Sequence, residues 1–205
     1  MDTSQAVAID APDVRELRRI ARENATWLIA GVALRADEAE SRAVNGSLAI
    51  DPSGEIVAVH CKQRLFAYGD EHRHYTPGTA STTLTIGGAR LGLFICYELR
   101  FPEVFAPVAA RVDAMVVIAN WPTSRLDHWD VLLRARAIEN QCYVIGVNRT
   151  GVANGLEYSG GSAAFDPWGD RLTTSRENGT QVVALDVQRV ADVRAKYPFL
   201  KDRCL

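Results

Sequence analysis

Residues 91–104, which read LGLFICYELRFPEV, place a cysteine where a reactive thiol is commonly held. The apolar run 91–95 is typical of a strand buried on both faces, and Cys96 follows it directly. Residues 101–103 then predict a helix start, because proline is favoured in the first turn and a carboxylate is stabilised by the helix dipole. A cysteine in such a turn has backbone N–H groups near it that can lower the pKa of the thiol and bind an oxyanion. The stretch therefore predicts a nucleophile at Cys96.

A buried structural cysteine is the ordinary alternative. Free cysteines are among the most buried residues and often behave as small hydrophobic side chains. Here, however, Tyr97, Glu98, Arg100 and Glu103 place four polar or ionisable side chains close to Cys96 along the chain. A core position does not normally tolerate so many polar groups, so these neighbours favour a reactive thiol.

The composition limits the class of protein. The chain has 205 residues, 47% hydrophobic and 23% charged, which fits one globular domain over residues 1–205. A net charge of −2 would not gather nucleic acid or an anionic membrane, so a small molecule is the expected partner. No apolar run reaches the roughly 18 residues of a membrane span, and residues 1–13 lack the features of a signal peptide. We therefore expect a cytoplasmic protein.

The cysteines do not follow a metal-binding or disulfide pattern. Cys61, Cys96, Cys142 and Cys204 lie far apart and have no C-x-x-C spacing. Neither a zinc site nor a disulfide framework is supported, so we expect reduced thiols and no bound metal.

Hydrophobic patterns and turn residues predict a layered α/β domain. Residues 1–11 are expected to be disordered, and the apolar run 26–34 predicts a central strand covered on both sides. Helices are predicted at 12–24, 102–110, 127–141 and 188–197, and strands at 82–86, 114–119, 143–148 and 181–187. Hairpins are predicted for 44–51 with 55–61 and for 161–166 with 171–175, an ordered functional loop for 63–81, and a glycine-rich loop for 149–160.

Two charged residues gain significance only from the motifs around them. Lys62 follows a predicted strand and Glu71 lies in the long loop, and each alone would be interpreted as a solvated surface charge. Together, however, six segments resemble the nitrilase (carbon-nitrogen hydrolase) superfamily from about residue 12 onward. They are C-K-Q-R-L-F (61–66), Y-G-D-E with Y-T-P-G (68–78), G-L-F-I-C-Y-E-L-R-F-P-E (92–103), A-N-W-P (119–122), R-A-R-A-I-E-N-Q (134–141) and N-R-T-G (148–151). Within the superfamily the chain is most similar to the omega-amidase branch.

The resemblance implies a nitrilase-like α-β-β-α sandwich and a set of roles. Cys96 would be the nucleophile, Lys62 the cationic member of the triad and Glu71 an additional glutamate. Tyr97, through its backbone N–H, and Trp121 would contact the substrate. The implied reaction converts a small ω-amide of a dicarboxylic or keto acid into carboxylate and ammonia through a thioester. No cofactor is implied, and we expect a homodimer or a larger homo-oligomer.

The general base is where this sequence departs from the family. An amide nitrogen leaves only when protonated, so a carboxylate has to carry the thiol proton to it. In the family this carboxylate is a glutamate of a P-E motif that ends a strand ahead of the first helix, and the chain begins after that point. We therefore expect an N-terminally truncated fold and assign the base to no residue of this chain.

Three alternatives stay open from the sequence. The chain could be a catalytically impaired member that binds a ligand or a partner without turnover. It could be another amidase of the superfamily or an N-carbamoyl hydrolase. It could also be a Cys-His hydrolase that uses His128, which requires that imidazole within hydrogen-bond reach of Cys96.

Overall fold

A computed structural model describes residues 3–35, 42–172 and 180–203. The chain divides into two compact units, residues 1–82 and 83–205, and the expectation of a single domain stays a prediction. The first unit contains helix α1 (Pro12–Glu23), strands β1 (Leu28–Arg35), β2 (Ala43–Ile50) and β3 (Ile56–Cys61), and the one-turn helix α2 (Glu71–His74).

The three strands of the first unit form an antiparallel sheet with β2 in the middle. The predicted hairpin of β2 and β3 is confirmed. The N–H of Gly54 donates to the Asp51 carbonyl at 2.9 Å, and Gly54 adopts a φ of 83°, which glycine tolerates without strain. Val14 and Ala21 of α1 are buried in one cluster with Leu48 of the sheet, so the apolar face of α1 covers it.

Two predictions for this unit are wrong. The run 26–34 predicts a central strand, but β1 lies at an edge of the described sheet and is mostly half-buried. An apolar run does not distinguish a central strand from an edge strand that is covered by other parts of the chain. Disorder was expected for residues 1–11, but the described part of this segment is packed: Ala6 is buried, and Val7 exchanges backbone hydrogen bonds with β1. The segment therefore lines the outer edge of β1.

The strands of the second unit are β4 (Thr82–Ile86), β5 (Ala89–Ile95), β6 (Ala114–Ala119), β7 (Tyr143–Asn148), β8 (Thr150–Ala153), β9 (Leu156–Ser159) and β10 (Ala163–Phe165). Five of them form one sheet in the order β10-β7-β6-β5-β4. In this sheet β5, β6 and β7 are parallel, and β10 is antiparallel to β7. The helices are α3 (Pro102–Phe105), which continues as the 3-10 helix Ala106–Arg111, α4 (Leu126–Asn140) and α5 (Val187–Lys196).

Parallel neighbours need crossover connections, which α3 and α4 supply. Helix α4 packs tightly on β7, because a Cβ at Gly146 would lie 2.4 Å from Leu133 and 2.6 Å from Trp129. The carboxyl ends of β5, β6 and β7 share one edge of the sheet, where ligands of open α/β sheets commonly bind. Among the described helices of both units, none combines the length and apolar character needed to cross a membrane.

Two further predictions are wrong in the second unit. The expected loop 149–160 is the hairpin of β8 and β9, which turns at Asn154-Gly155 with φ angles of 51° and 71°. Asn-Gly is a strong hairpin signal, and the glycine-rich composition concealed it. The expected strand 181–187 is also absent, because residues 180–186 pair with no described strand and α5 begins at Val187. Of the hairpin 161–166 with 171–175, the structure has β10 and a bridge to Arg171, and 173–175 lie outside the described residues.

Candidate active site

Cys96 follows β5 in a backbone conformation that L-residues rarely adopt. Its φ is 48°, in the left-handed region, and the chain turns there into the 3-10 helix Cys96–Arg100. Such strain costs about 1–3 kcal/mol and persists where surrounding contacts hold it. One restraint is the fully buried Glu98, whose Oε2 accepts the N–H of Ile95 at 2.6 Å. The predicted tight turn is confirmed, and its thiol is half-buried at the carboxyl end of the sheet.

The surroundings of the thiol come from the neighbouring strand. Cys96 Sγ lies 3.9 Å from the carbonyl oxygen of Asn120, which follows β6. His128 has a different neighbour, because its Nδ1 lies 3.2 Å from Nη2 of Arg100. This contact gives no support to a Cys-His pair.

Lys62 and Glu71 form a buried ion pair in the first unit. Lys62 Nζ lies 2.6 Å from Glu71 Oε2, and the two side chains are 3% and 0% exposed. Glu71 Oε2 also accepts the N–H of Phe66, and its Oε1 accepts a hydrogen bond from Asn45 Nδ2 at 2.8 Å. Charged residues are almost never fully buried unless paired, so neither residue is the solvated surface charge that the sequence alone would suggest.

The loop that carries Glu71 returns over the backbone of Lys62. The Lys62 carbonyl accepts the N–H of Gly78 at 2.8 Å, and the Lys62 N–H donates to the Asn45 carbonyl at 2.9 Å. A Cβ at Gly78 would lie only 2.0 Å from the Cys61 carbonyl oxygen. Glycine is therefore required at this position, and the predicted ordered loop is anchored on both sides of the ion pair.

Tyr97 and Trp121, the two predicted substrate contacts, differ in exposure. Tyr97 is half-buried, with its ring edge-on to Phe101 at 5.0 Å. Trp121 is 3% exposed, and its indole N–H donates to the Arg125 carbonyl at 2.7 Å. The guanidinium of Arg100 lies 4.9 Å from the centre of the Trp121 ring. The indole is thus used in packing, and the substrate roles of both residues stay predictions.

The other described cysteines are poor nucleophiles. Burial raises the pKa of Cys142 to about 12 and also raises the pKa of Cys61. Both thiols are therefore protonated near neutral pH, whereas the thiolate is the reactive form. Cys204 lies outside the described residues. Across residues 3–35, 42–172 and 180–203, no group of three His, Cys, Asp or Glu side chains is arranged to hold a metal ion.

Sequence reasoning missed three asparagines around these side chains. Asn45 binds Glu71, the Asn120 carbonyl contacts the thiol, and Asn148 binds the backbone of Trp121. Asn120 and Asn148 stand where parallel strands end and lie within the A-N-W-P and N-R-T-G segments, which is the signal that could have identified them. Asn45 gives no such signal, because a polar residue within a strand is ordinary.

Residues 2–195 match the carbon-nitrogen hydrolase family, and the chain belongs to that family. It is 35% identical over 189 residues to 2-oxoglutaramate amidase from Bacillus subtilis (strain 168), covering 91% of this chain and 72% of the relative. It is 40% identical over 179 residues to omega-amidase YafV from Escherichia coli (strain K12), covering 85% of this chain and 68% of the relative. The protein is therefore an amidohydrolase of the nitrilase superfamily, as predicted.

Solved structures agree with this assignment. A CN-hydrolase superfamily protein from Xanthomonas campestris, with an arsenic adduct in its active site, has a TM-score of 0.90 and 32% identity, covering 99% of this chain and 78% of that one. A mutant amidase from Nesterenkonia sp. AN1, with the acetamide moiety of fluoroacetamide added covalently at its active-site cysteine, has a TM-score of 0.78 and 26% identity. That match covers 93% of this chain and 69% of the amidase. The predicted nitrilase-like α/β fold is confirmed.

Proposed function

We propose that the protein hydrolyses the ω-amide of a small dicarboxylic or keto acid to carboxylate and ammonia through a thioester at Cys96. The substrate class is supported by the similarity to 2-oxoglutaramate amidase and omega-amidase. The chemistry is supported above all by the buried Lys62–Glu71 pair. A lysine that is buried and paired with a buried carboxylate suits a role in which its charge acts on a reacting group.

The reaction assigns one role to each group. The Cys96 thiolate attacks the amide carbon, so that a C–S bond forms and the carbonyl oxygen becomes an oxyanion. The Lys62 ammonium and the Tyr97 N–H bind that oxyanion, and one such preorganised donor contributes about 3–4 kcal/mol. The leaving nitrogen then takes up a proton, the C–N bond breaks, and ammonia departs. Water attacks the thioester, releases the carboxylate and restores the thiol. The residue that carries these protons stays unassigned.

Glu71 acts through Lys62. Its carboxylate accepts hydrogen bonds from Asn45 and Phe66 as well as from the ammonium, so its position is fixed from three sides. An ammonium bound to a carboxylate that is itself fixed has a defined position. We therefore describe Glu71 as a positioning residue.

An ω-amide of this class carries a carboxylate at its far end, which needs a cation. Among the described residues, the half-buried Arg100 and Arg149 stack on aromatic rings, 4.9 Å from Trp121 and 4.8 Å from Tyr158, and neither forms an ion pair with a carboxylate. They follow β5 and β7, at the same edge of the sheet as Cys96. Two available guanidinium groups favour an anionic substrate over a neutral aliphatic amide.

The proposal is tested by measuring ammonia release from 2-oxoglutaramate, succinamate, butyramide and an N-carbamoyl amino acid. We expect the two anionic ω-amides to be preferred, and mass spectrometry to find an acyl group on the Cys96 peptide. Cys96→Ala should abolish turnover and Lys62→Met should lower kcat about 10²–10³-fold, with exposed Lys201→Met as the matched control. Preference for the N-carbamoyl compound would instead indicate an N-carbamoyl hydrolase of the same superfamily.

An acyl adduct without ammonia release would instead select the catalytically impaired alternative. A variant that carries the N-terminal P-E segment of an omega-amidase separates the two cases, since it supplies a general base. Equal turnover with and without that segment would mean that a carboxylate of this chain serves as the base. A homodimer or a larger homo-oligomer is also proposed, and light scattering tests it.

A further inference from the structure

The peptide that joins Asn120 to Trp121 has one face toward the nucleophile and one toward a buried asparagine. Its carbonyl oxygen lies 3.9 Å from Cys96 Sγ. Its N–H donates to Oδ1 of Asn148 at 2.7 Å. Because C=O and N–H of a trans peptide point in opposite directions, the bond to Asn148 determines which group faces the thiol.

The carboxamide of Asn148 can hold this peptide in place, because its oxygen and its NH₂ group all form hydrogen bonds. Its Nδ2 donates to the Trp121 carbonyl at 2.9 Å and to the Gly160 carbonyl at 2.6 Å, while the side chain is 7% exposed. The backbone N–H of Asn148 donates to Ser162 Oγ at 2.9 Å. One acceptor and two donors on a planar group of this length are available only from asparagine. An aspartate has the same shape but would place its charge against two carbonyl oxygens.

The Asn120 carbonyl is the group that this bonding fixes beside the thiol. An amide about to react holds its carbonyl carbon about 3–3.5 Å from the sulfur, which brings its NH₂ group within reach of an acceptor beside that sulfur. An ester of the same size has no N–H to donate there. The orientation of this one peptide therefore bears on whether an amide or an ester is favoured.

We propose that Asn148 is a positioning residue for the hydrolase reaction, and that it holds the Asn120 carbonyl as the acceptor for the N–H of the bound amide. The proposal deepens the proposed function and rests on it, because it takes Cys96 as the nucleophile and an amide as the substrate. Asn148 itself touches neither group and acts through the peptide.

The test compares two alkylating agents, iodoacetamide, which carries an NH₂ group, and methyl iodoacetate, which does not. The ratio of their rates at Cys96 is measured in the unmodified chain and in Asn148→Asp. We expect the ratio to fall about fivefold in the variant, the effect of one net hydrogen bond. The control is Asn140→Asp, which changes another buried asparagine, at the end of α4, and should leave the ratio unchanged.

An unchanged ratio in Asn148→Asp would overturn the proposal, as would an equal fall in Asn140→Asp, since either result would give Asn148 only a structural role. If Asn148→Asp does not fold, Asn148→Ser carries the same comparison without an added charge. The alkylation ratio needs no turnover, so it can succeed or fail whether or not any amide releases ammonia. Where amides are hydrolysed, kcat for the amide should fall more than the acylation rate by an activated ester.

Discussion

Replacing Glu71 with glutamine should expose the cost of the buried ion pair. At 2.6 Å and an effective dielectric constant near 20, the gross attraction between the Lys62 and Glu71 charges is about 6 kcal/mol. Breaking a buried pair from one side typically costs about 3–5 kcal/mol, because the remaining charge is left without its partner. Because both oxygens of Glu71 accept hydrogen bonds, Glu71→Gln also places an amide NH₂ against a donor in either orientation of the carboxamide. We therefore expect the free energy of unfolding to fall by about 3–5 kcal/mol.

The assay is urea unfolding followed by circular dichroism, with an exposed ion pair as the control. Glu55 pairs with Arg18 at 2.8 Å, but these side chains are 66% and 32% exposed, so Glu55→Gln should cost less than about 1 kcal/mol. The double variant Lys62→Met with Glu71→Gln removes both charges and should recover part of the lost stability without recovering turnover. Equal losses in Glu71→Gln and Glu55→Gln would refute the reasoning, because burial would then make no difference.

Three further predictions concern other parts of the chain. Iodoacetamide near pH 7.5 should label Cys96 well before Cys142, whose pKa burial raises to about 12, and peptide mapping that finds the reverse order would contradict the assignment. Burial would raise the pKa of Asp113, but hydrogen bonds from Arg90 outweigh it and lower that pKa. The pair therefore stabilises the fold above about pH 4 and loses this effect as the pH falls further, so Arg90→Met should cost about 1 kcal/mol at pH 7 and little at pH 2 in urea titrations. Arg149→Met should raise KM for succinamate about tenfold and leave KM for butyramide unchanged, and equal effects on both would remove Arg149 from substrate recognition.

The local turn at Cys96 could be predicted from the sequence because its determinants are neighbours in the chain. An apolar run, a cysteine and a Phe-Pro-Glu segment follow one another, and each acts over a few residues. The hairpin about Asp51 and Gly54 was predictable for the same reason. The wrong strand predictions have the opposite cause. Whether 26–34 is a central strand, and whether 181–187 pairs with another strand, depends on segments that are distant in the chain.

The ion pair of the first unit shows where the physical reading of a sequence stops. Lys62 and Glu71 are nine residues apart with an irregular loop between them, and no periodicity brings their side chains together. In the sequence, only the resemblance to a family indicated that these two residues belong to one site. The energetic reason is that a polar group can be buried only where it has hydrogen-bond partners. The fold, and not the local sequence, brings partners such as Asn45 into place.

The role of Asn148, in contrast, can be inferred from its hydrogen bonds. The N-R-T-G segment marks its position in the sequence but not its role, which follows from its hydrogen bonds: no other residue type could satisfy one backbone N–H and two carbonyl groups in this buried position. Unpaired polar groups in the interior cost about 1–3 kcal/mol each, so replacing the carboxamide of Asn148 should produce a measurable change. A residue can thus be assigned a role from the completeness of its bonding, independently of any relative, and the alkylation ratio at Cys96 measures whether that completeness serves the reaction or only the fold.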